Sequence, residues 1–425
     1  MYVCIYTSFQ EVPHEVRHRL SYPMQPNFFL SFDWFSLLFE TSLHQTLLPR
    51  IYVLLDNQRE PMGALFCAVA RGGTGRRLLS LTNFYTLDYS LSLVQDRPDK
   101  NAIVSQLIAY IAAERPRWHL IRLTFMKEGV LEIRSALGRL RESGFSVYPF
   151  FQYENWYFTS SGETFQTYFS NRPSELRNTI TRKQKKLERT HNFGIKLIGH
   201  ESTHLEEVVR DFIAVYNNSW KQPEPFPNFI PMLATICAKL RILRLGVLYV
   251  AGKPAAGQLW ITTGRKAIIY KLAYDEQYRE LGVGSVLSRE MFRVAIDEDH
   301  VDEIDYGVGS ELYKKDWMAS VRKIYGVEAF NQKSLIGLLL STMEAAKTTI
   351  KKVRVPLKRD DFSTQASSGT NDAAKPDAVS NTWRAADAFQ PDPAGETTCR
   401  RTADRRTDSL IAWIFAGVGS DSAGP

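Results

Sequence analysis

The chain has 425 residues, enough for two domains and a tail with a core in each domain. Hydrophobic residues make up 44% and charged residues 23%, as in an ordinary soluble globular protein. The net charge of +7 is uneven, with 8 Lys/Arg against 2 acids from Arg172 to Lys196 but 8 against 10 from Pro356 onward. Four cysteines (Cys4, Cys67, Cys237, Cys399) lie far apart, with no CxxC and no His-Cys cluster. That argues against a zinc site or a disulfide framework and suits a reducing compartment. No basic stretch followed by an apolar run marks a secretory signal at the N-terminus. No apolar run approaches the ~18 residues of a membrane span, and Leu410–Val418 is too short. The expectation is a soluble, cytoplasmic protein.

Arg50–Leu55 and Met62–Arg71 are apolar runs separated by a polar turn with proline, which predicts strand, turn, strand. Ala102–Ala113 has helical apolar spacing, and Trp118–Phe125 reads as a buried strand. Val130–Ser143 is a second helix, stopped by Gly144 in the C′ role. Phe145–Tyr153 follows as an aromatic strand. Arg177–Arg189 is helix-compatible and strongly basic, ending before His191, and a strand restarts at Ile195–Ile198. Leu205, Val208, Val209, Phe212, Val215 and Tyr216 recur at helical spacing and predict an amphipathic helix against a sheet. Leu245–Val250, Ala255–Thr262 and Ala267–Tyr274 are strands joined by tight turns, hence an antiparallel meander.

RIYVLLDNQREPMGALF from Arg50 and RLGVLYVAGKPAAGQLW from Arg244 share one pattern, which raises an internal duplication. The halves differ after their hairpins. The first offers Tyr89–Asn101 without a glycine, so its backbone cannot closely approach a pyrophosphate. From Pro356 to Thr407 few large aliphatics occur, and the segment is expected to be disordered. The domains expected are 1–160, a basic connection 161–200, 201–355, and a disordered tail 356–425.

The most informative stretch is Arg279-Glu280-Leu281-Gly282-Val283-Gly284, an Arg-x-x-Gly-x-Gly turn. It lies between the strand Ala267–Tyr274 and a helical pattern from Ser285 to Glu298, whose buried stripe is Leu287, Met291, Val294 and Ala295. A glycine turn that opens a helix bares backbone N–H groups and attracts a diphosphate. The third glycine of the dinucleotide fingerprint is missing, and so is the Gly-Lys-Ser/Thr ending of a Walker motif. A second constellation follows. The short strand Asp302–Tyr306 ends in Gly307-Val308-Gly309, then Tyr313-Lys314 and Trp317.

Arg-x-x-Gly-x-Gly between these elements resembles the coenzyme A turn of GNAT-type acyltransferases. Asp305-Tyr306-Gly307-x-Gly309, then Tyr313-Lys314 and Trp317, resembles the FemAB-related branch of that superfamily. That branch includes CelD-like proteins linked to cellulose and exopolysaccharide synthesis. Tyr270–Asp275 and Asn218-Ser219-Trp220 are similar to the same family, and the likeness spans roughly residues 170–340. It implies an α/β protein of two GNAT-like lobes, each a mixed, mostly antiparallel sheet flanked by helices. The first lobe is then a degenerate twin and the second binds acyl-CoA.

The resemblance implies direct acyl transfer from acetyl-CoA or another acyl-CoA to an amine or hydroxyl in one ternary complex. No Cys/His pair for a covalent intermediate is visible, and no metal is called for. Cofactor contacts fall on Tyr274, Arg279, Leu281, Gly282, Val283, Gly284 and Ser285. Backbone N–H groups at the splayed end of Ala267–Tyr274 would orient the thioester carbonyl. Tyr313 is the acid for the leaving thiolate, Lys314 an anion contact, and Asp275 or Asp305 the base by way of water. Trp220 and Trp317 are substrate contacts. Each has a plainer role too: Tyr313 and Trp317 as packing residues, Asp305 as a strand-end hydrogen-bonding group.

Arg182–Arg189 suits a solvated helix face, an anionic sugar-phosphate or CoA adenylate contact, or tRNA binding. The expected activity is N-acylation of an amino sugar or related metabolite in polysaccharide assembly. The alternatives are an aminoacyl-tRNA-dependent peptidyltransferase and a catalytically silent scaffold among polysaccharide-synthesis proteins. A nucleic-acid-binding protein is a more distant reading.

Overall fold

The computed structural model describes residues 1–353 except 72–75, 95–98, 128–130, 191, 310 and 312. The tail expected from Pro356, with its Leu410–Val418 patch, lies outside the described residues, as do His191, Ser310 and Leu312. Within them a large mixed sheet flanked by helices makes an α/β fold. Its strands are β1 (Tyr2–Tyr6), β2 (Leu47–Leu55), β3 (Pro61–Ala70), β4 (Arg77–Ser80), β5 (Ser92–Leu93) and β6 (Leu120–Lys127). They continue with β7 (Phe145–Thr159), β8 (Phe193–Ile198), β9 (Leu243–Val250), β10 (Lys253–Thr263) and β11 (Lys266–Tyr274), then β12 (Glu303–Asp305) and β13 (Ser320–Asn331).

Side by side the order is β1-β2-β3-β4-β6-β13-β7-β12-β11-β10-β9-β8, with β5 on β3. Only β4–β6 and β11–β12 pair in parallel; the other described pairs are antiparallel. From the central β13–β7 pair outward, both wings repeat one pattern: an antiparallel neighbour, a parallel step, then a meander. The two similar hairpin segments, from Arg50 and from Arg244, form β2–β3 and β9–β10, the same place in each wing. The central strands are exchanged. β13, from late in the chain, closes the wing of the first 127 residues, while β7 closes the other against β12. All 12 residues of β13 are paired to β7.

Residue type sets the local geometry. In the β2–β3 turn, Asp56 Oδ1 accepts the N–H groups of Gln58 and Glu60, each at 2.9 Å, as an Asx turn does. The amphipathic helix Leu205–Asn217 buries Val208, Phe212 and Val215. Phe212 sits over Gly257 of β10 so closely that a Cβ there would lie 2.7 Å from its ring. The helix Val283–Arg293 crosses the sheet at Gly246, where a Cβ would come 2.6 Å from Met291 Sδ. Gly246 pairs with Gln258, and Gly257 with Val247, so the two glycines face opposite sides of the sheet. The two helices therefore cover opposite faces. The helix Phe229–Lys239, with no counterpart in the sequence reading, packs Phe229 edge-on to Trp34 at 6.1 Å.

Under the Val283–Arg293 helix a column of aromatic rings joins distant segments. Phe292 is fully buried. It stacks on Trp317 at 4.6 Å and on Tyr168 at 5.4 Å, and meets Trp260 edge-on at 5.1 Å. Phe292→Ala should therefore cost about 3–5 kcal/mol in urea unfolding, the range for a buried aromatic truncation. A loss under about 1 kcal/mol would mean the rings close over the space.

Candidate functional site

The site begins where two strands part. β11 and β12 pair only at Lys266↔Glu303, Ala267↔Ile304 and Ile268↔Asp305. β11 runs on to Tyr274, still paired to β10 as far as Ala256↔Tyr274. From Ile269 to Tyr274, then, β11 has a strand partner on one side only among the described strands. β12 stops because its last residue anchors a turn. Asp305 Oδ1 accepts the Gly307 N–H at 2.8 Å and Asn155 Nδ2 at 2.7 Å, while Arg322 pairs with the other oxygen. Gly307, at φ 68°, passes so near Ile269 that a Cβ would lie 3.0 Å from its carbonyl oxygen. The chain then leaves β11.

Facing this gap, the Arg-x-x-Gly-x-Gly segment opens a helix as the sequence predicts. Asp275 caps a 3-10 turn, Glu276–Leu281, by accepting the Gln277 N–H at 3.0 Å. Its other oxygen accepts Gln277 Nε2 at 2.9 Å and Asn218 Nδ2 at 3.2 Å. Gly282 is left-handed (φ 64°, ψ 30°) and is the N-cap of Val283–Arg293. Glycine takes that conformation without steric cost, and the first N–H groups of the helix lack intrahelical partners. Gly282, Gly284 and Ser285 are partly exposed, Arg279 and Glu280 are exposed, and Val283 is buried. Gly284 packs near the Tyr274 ring, where a Cβ would come within 3.2 Å.

Two residues that the sequence reading did not single out hold this turn. Gln258, buried in β10, donates to Ser288 Oγ at 2.7 Å and to the Gly284 carbonyl at 3.2 Å. Lys183, on the basic helix Ser174–Thr190, lays its stem across Gly282 and donates to the Glu280 carbonyl. Part of the basic segment thus borders the glycine turn. Gln184 also accepts from Arg289 at 2.9 Å.

The loop after β12 brings Tyr313, Lys314 and Trp317 together, in different environments. Trp317 is buried in the aromatic column. Lys314 is only 3% exposed, and its ammonium reaches the carbonyls of Val308 (2.7 Å) and Gly309 (3.1 Å) and the Glu311 carboxylate (2.7 Å). Those contacts use its three donors, so it staples the glycine loop. Burial lowers its pKa against the pull of Glu311. Tyr313 is 46% exposed, with its ring 5.7 Å from that of Tyr306. Partial burial and the nearby Glu311 carboxylate push its phenol up, which keeps the proton on at neutral pH. Every carboxylate oxygen of Asp275 and Asp305 is engaged as described.

Alongside the unpaired run of β11 lies a cluster of aromatic and charged side chains, of which the sequence reading named Trp220 and Tyr274 as contacts. Their rings are 4.6 Å apart, and Trp220 is 49% exposed. Lys271 of β11 pairs with Glu224 at 2.5 Å, and Glu224 also accepts from the Tyr85 hydroxyl at 2.6 Å. Tyr85, from the first half, receives the Tyr270 hydroxyl on its carbonyl at 3.0 Å. Lys221 lies 5.6 Å from the Tyr216 ring centroid and 5.7 Å from that of Trp220. Lys271 stands 5.4 Å from the same Tyr216 ring. The signal available in the sequence was two lysines and a glutamate among aromatics, in segments whose juxtaposition it does not encode. Among the described residues no His, Cys, Asp and Glu group could hold a metal. No described helix is long and apolar enough to cross a membrane.

With this geometry in place, comparison with known proteins gives the class. Residues 174–315 match the acetyltransferase (GNAT) domain family. The chain thus carries a GNAT acyltransferase domain and is an acyltransferase by that domain. No curated protein matches it in sequence. Among solved structures, a conserved protein of unknown function from Bacteroides thetaiotaomicron VPI-5482 shares the fold at 11% identity. That match covers 77% of this chain and 100% of the other, with a TM-score of 0.50. FemX is similar at 11% identity and a TM-score of 0.49, over 76% and 97% of the two chains. A tandem GNAT protein from the clavulanic acid biosynthesis pathway is similar at 10% identity and 0.42, over 77% and 98%.

The Asp305 anchor yields a prediction with a definite sign. Burial pushes its carboxyl up, but Arg322, Lys127, Asn155 and the Gly307 N–H outweigh burial and hold it below the usual range. A lowered folded pKa gives stability that is present above the unfolded value of about 4 and lost as pH falls through the folded value. Arg322→Met removes the main counter-charge from a buried carboxylate. It should cost about 3–5 kcal/mol at pH 7. With the folded pKa now raised, part of that loss should be recovered as pH falls from 7 toward 5. Urea unfolding across this range checks it, and an unchanged pH slope would remove Asp305 from the account.

Proposed function

We propose that this protein is an acyl-CoA-dependent N-acyltransferase of the FemAB-related, CelD-like kind. Its acceptor in this reading is an amino sugar or related metabolite of polysaccharide assembly, and transfer is direct within one ternary complex. The observation that carries the reading is the parting of β11 from β12 beside a helix opened by left-handed Gly282. The fit to coenzyme A rests on the same turn. Gly282 and Gly284 present bare backbone, and any Cβ there would press on Lys183 or Tyr274.

In this reading the N–H groups of Val283, Gly284 and Ser285 hold the diphosphate, aided by the helix dipole, with Arg279 and Lys183 as flanking cations, while the Gly282 N–H stays on the Arg279 carbonyl at 3.1 Å. The side of β11 without a strand partner, Ile269 to Tyr274, orients the acyl carbonyl. Acyl-CoA supplies the activated thioester. As the amide bond forms and the C–S bond breaks, Tyr313, protonated at neutral pH, donates its phenolic proton to the departing sulfur and regains one from the acceptor amine by way of water. Asp305 and Lys314 hold the loop that carries Tyr313, and Trp317 pins that loop's far end to the core. Asp275 keeps the glycine turn in register. Trp220 offers the acceptor an aromatic face.

Native mass spectrometry after incubation with a mixture of acyl-CoAs tests cofactor class and acyl preference together. Retention of an acyl-CoA is expected. Retention of charged tRNA in a filter-binding assay, without acyl-CoA retention, would instead favour an aminoacyl-tRNA-dependent peptidyltransferase. Gly284→Glu should abolish CoA binding in calorimetry while the chain still unfolds cooperatively at a somewhat lower Tm, because its carboxylate would enter the phosphate cradle and its Cβ would push on Tyr274. Unaltered affinity in that variant would defeat the placement.

A further inference from the structure

We infer that Lys221 binds an anionic group, a carboxylate or phosphate, on the acceptor, at a subsite floored by Trp220 and Tyr216 beside the unpaired run of β11. This deepens the acyltransferase reading and rests on it. The charged groups that bear on Lys221 include Lys271 from β11, Glu224 from its own loop, and Glu311 and Lys314 from the segment after β12. Glu224 is committed to Lys271 at 2.5 Å, and Glu311 to Lys314 at 2.7 Å. Three lysines thus meet two carboxylates, each already paired, and the remaining positive charge is on Lys221.

Among the described residues its ammonium makes no hydrogen bond and no ion pair. Its near contacts are the faces of Tyr216 and Trp220. Aromatic faces attract a cation but leave its donors unfilled. Loss of hydration and the two neighbouring lysines push its pKa down to about 8. An arriving anion would supply the missing partner and restore the charge. The half-exposed Trp220 ring lies 5.7 Å from the ammonium and rests on Tyr274, so a ring-bearing acceptor can meet its open part while its anionic substituent meets Lys221.

The position favours the acceptor over the cofactor. Lys221 follows the Leu205–Asn217 helix, which covers one face of the sheet, whereas the glycine turn opens the helix on the opposite face. Two molecules reacting in one gap would each enter from its own side. Lys221 also offers specificity, because a neutral acceptor would cover the partly exposed ammonium without supplying a counter-charge.

The test titrates sulfate, whose charge is constant between pH 7 and 9, into the full chain by calorimetry, with and without saturating CoA. Wild type should bind sulfate in both conditions, and more weakly as pH rises through 8 because the free ammonium loses its proton there. Lys221→Met, which keeps the packing against the rings, should bind at least ten-fold more weakly. Lys221→Arg should keep binding and show a flat pH profile. Undiminished binding by Lys221→Met, or an unchanged pH profile in Lys221→Arg, overturns the assignment. Sulfate binding that CoA abolishes would hand the site to the cofactor's phosphates and equally overturn it. If wild type binds sulfate through Lys221 but does not bind CoA, the acyltransferase reading fails and the anion site stands.

Discussion

The carboxylate of Asp305 is where two features of this fold are tied together. It ends β12, and its partner Arg322 lies on β13, the strand exchanged into the other wing of the sheet. Arg322 also reaches Glu303 at 2.9 Å and Asn155 at 2.6 Å, so one guanidinium spans β12, β13 and β7. Buried charges persist only when compensated this fully. The same carboxylate takes the Gly307 N–H and turns the chain away from β11. One buried ion pair therefore joins the strand end at the site's opening to the strand that crosses between the wings.

Around that opening, charge is distributed in layers. Asp305 and Arg322 neutralise each other in the interior, and Lys314 is consumed by the loop it staples. Nearer the surface, Lys271 and Glu224 bridge a late strand to Tyr85 from the first half. The first half thus contributes Tyr85 to this cluster, whatever it does otherwise. Lys221 stands outside these pairings, against aromatic faces, where water is partly excluded and electrostatic attraction is stronger than in bulk. On the opposite face the glycine turn offers main-chain donors instead of side-chain charge, with Lys183 at its edge.

Much of the fold was readable because it is local. The turn residues at Asp56 to Pro61, the helical spacing from Leu205 to Tyr216 and the meander from Leu243 to Tyr274 carry their signals within short windows. The glycine turn is equally local, since left-handed backbone at Gly282 and bare backbone at Gly284 are properties of residue type. Strand β13 was missed, because Arg322 and Lys323 interrupt its apolar pattern and their partners lie far away in sequence. The Phe229–Lys239 helix was also passed over, although its buried Phe229, Ile230, Leu233, Ala234, Cys237 and Ala238 recur at helical spacing.

Side-chain roles in the Tyr313 to Trp317 loop show the limit of pattern alone. Tyr313, Lys314 and Trp317 look alike as functional residues in the sequence, yet one is exposed, one is a staple and one is core. Neighbouring positions on the short helix Lys314–Trp317 and its N-cap Tyr313 point in different directions, and nothing in their spacing states which. By itself the sequence determined the strands of each meander, the helix that follows the glycines and the conformation those glycines allow. These depend on contacts within a few residues. Tertiary structure alone decided that β13 and β7 change places, that β12 leaves β11 after three pairs, and that Lys221 remains without a counter-charge. Each of those turns on groups brought together from distant parts of the chain, whose distances and compensations exist only once the sheet has closed.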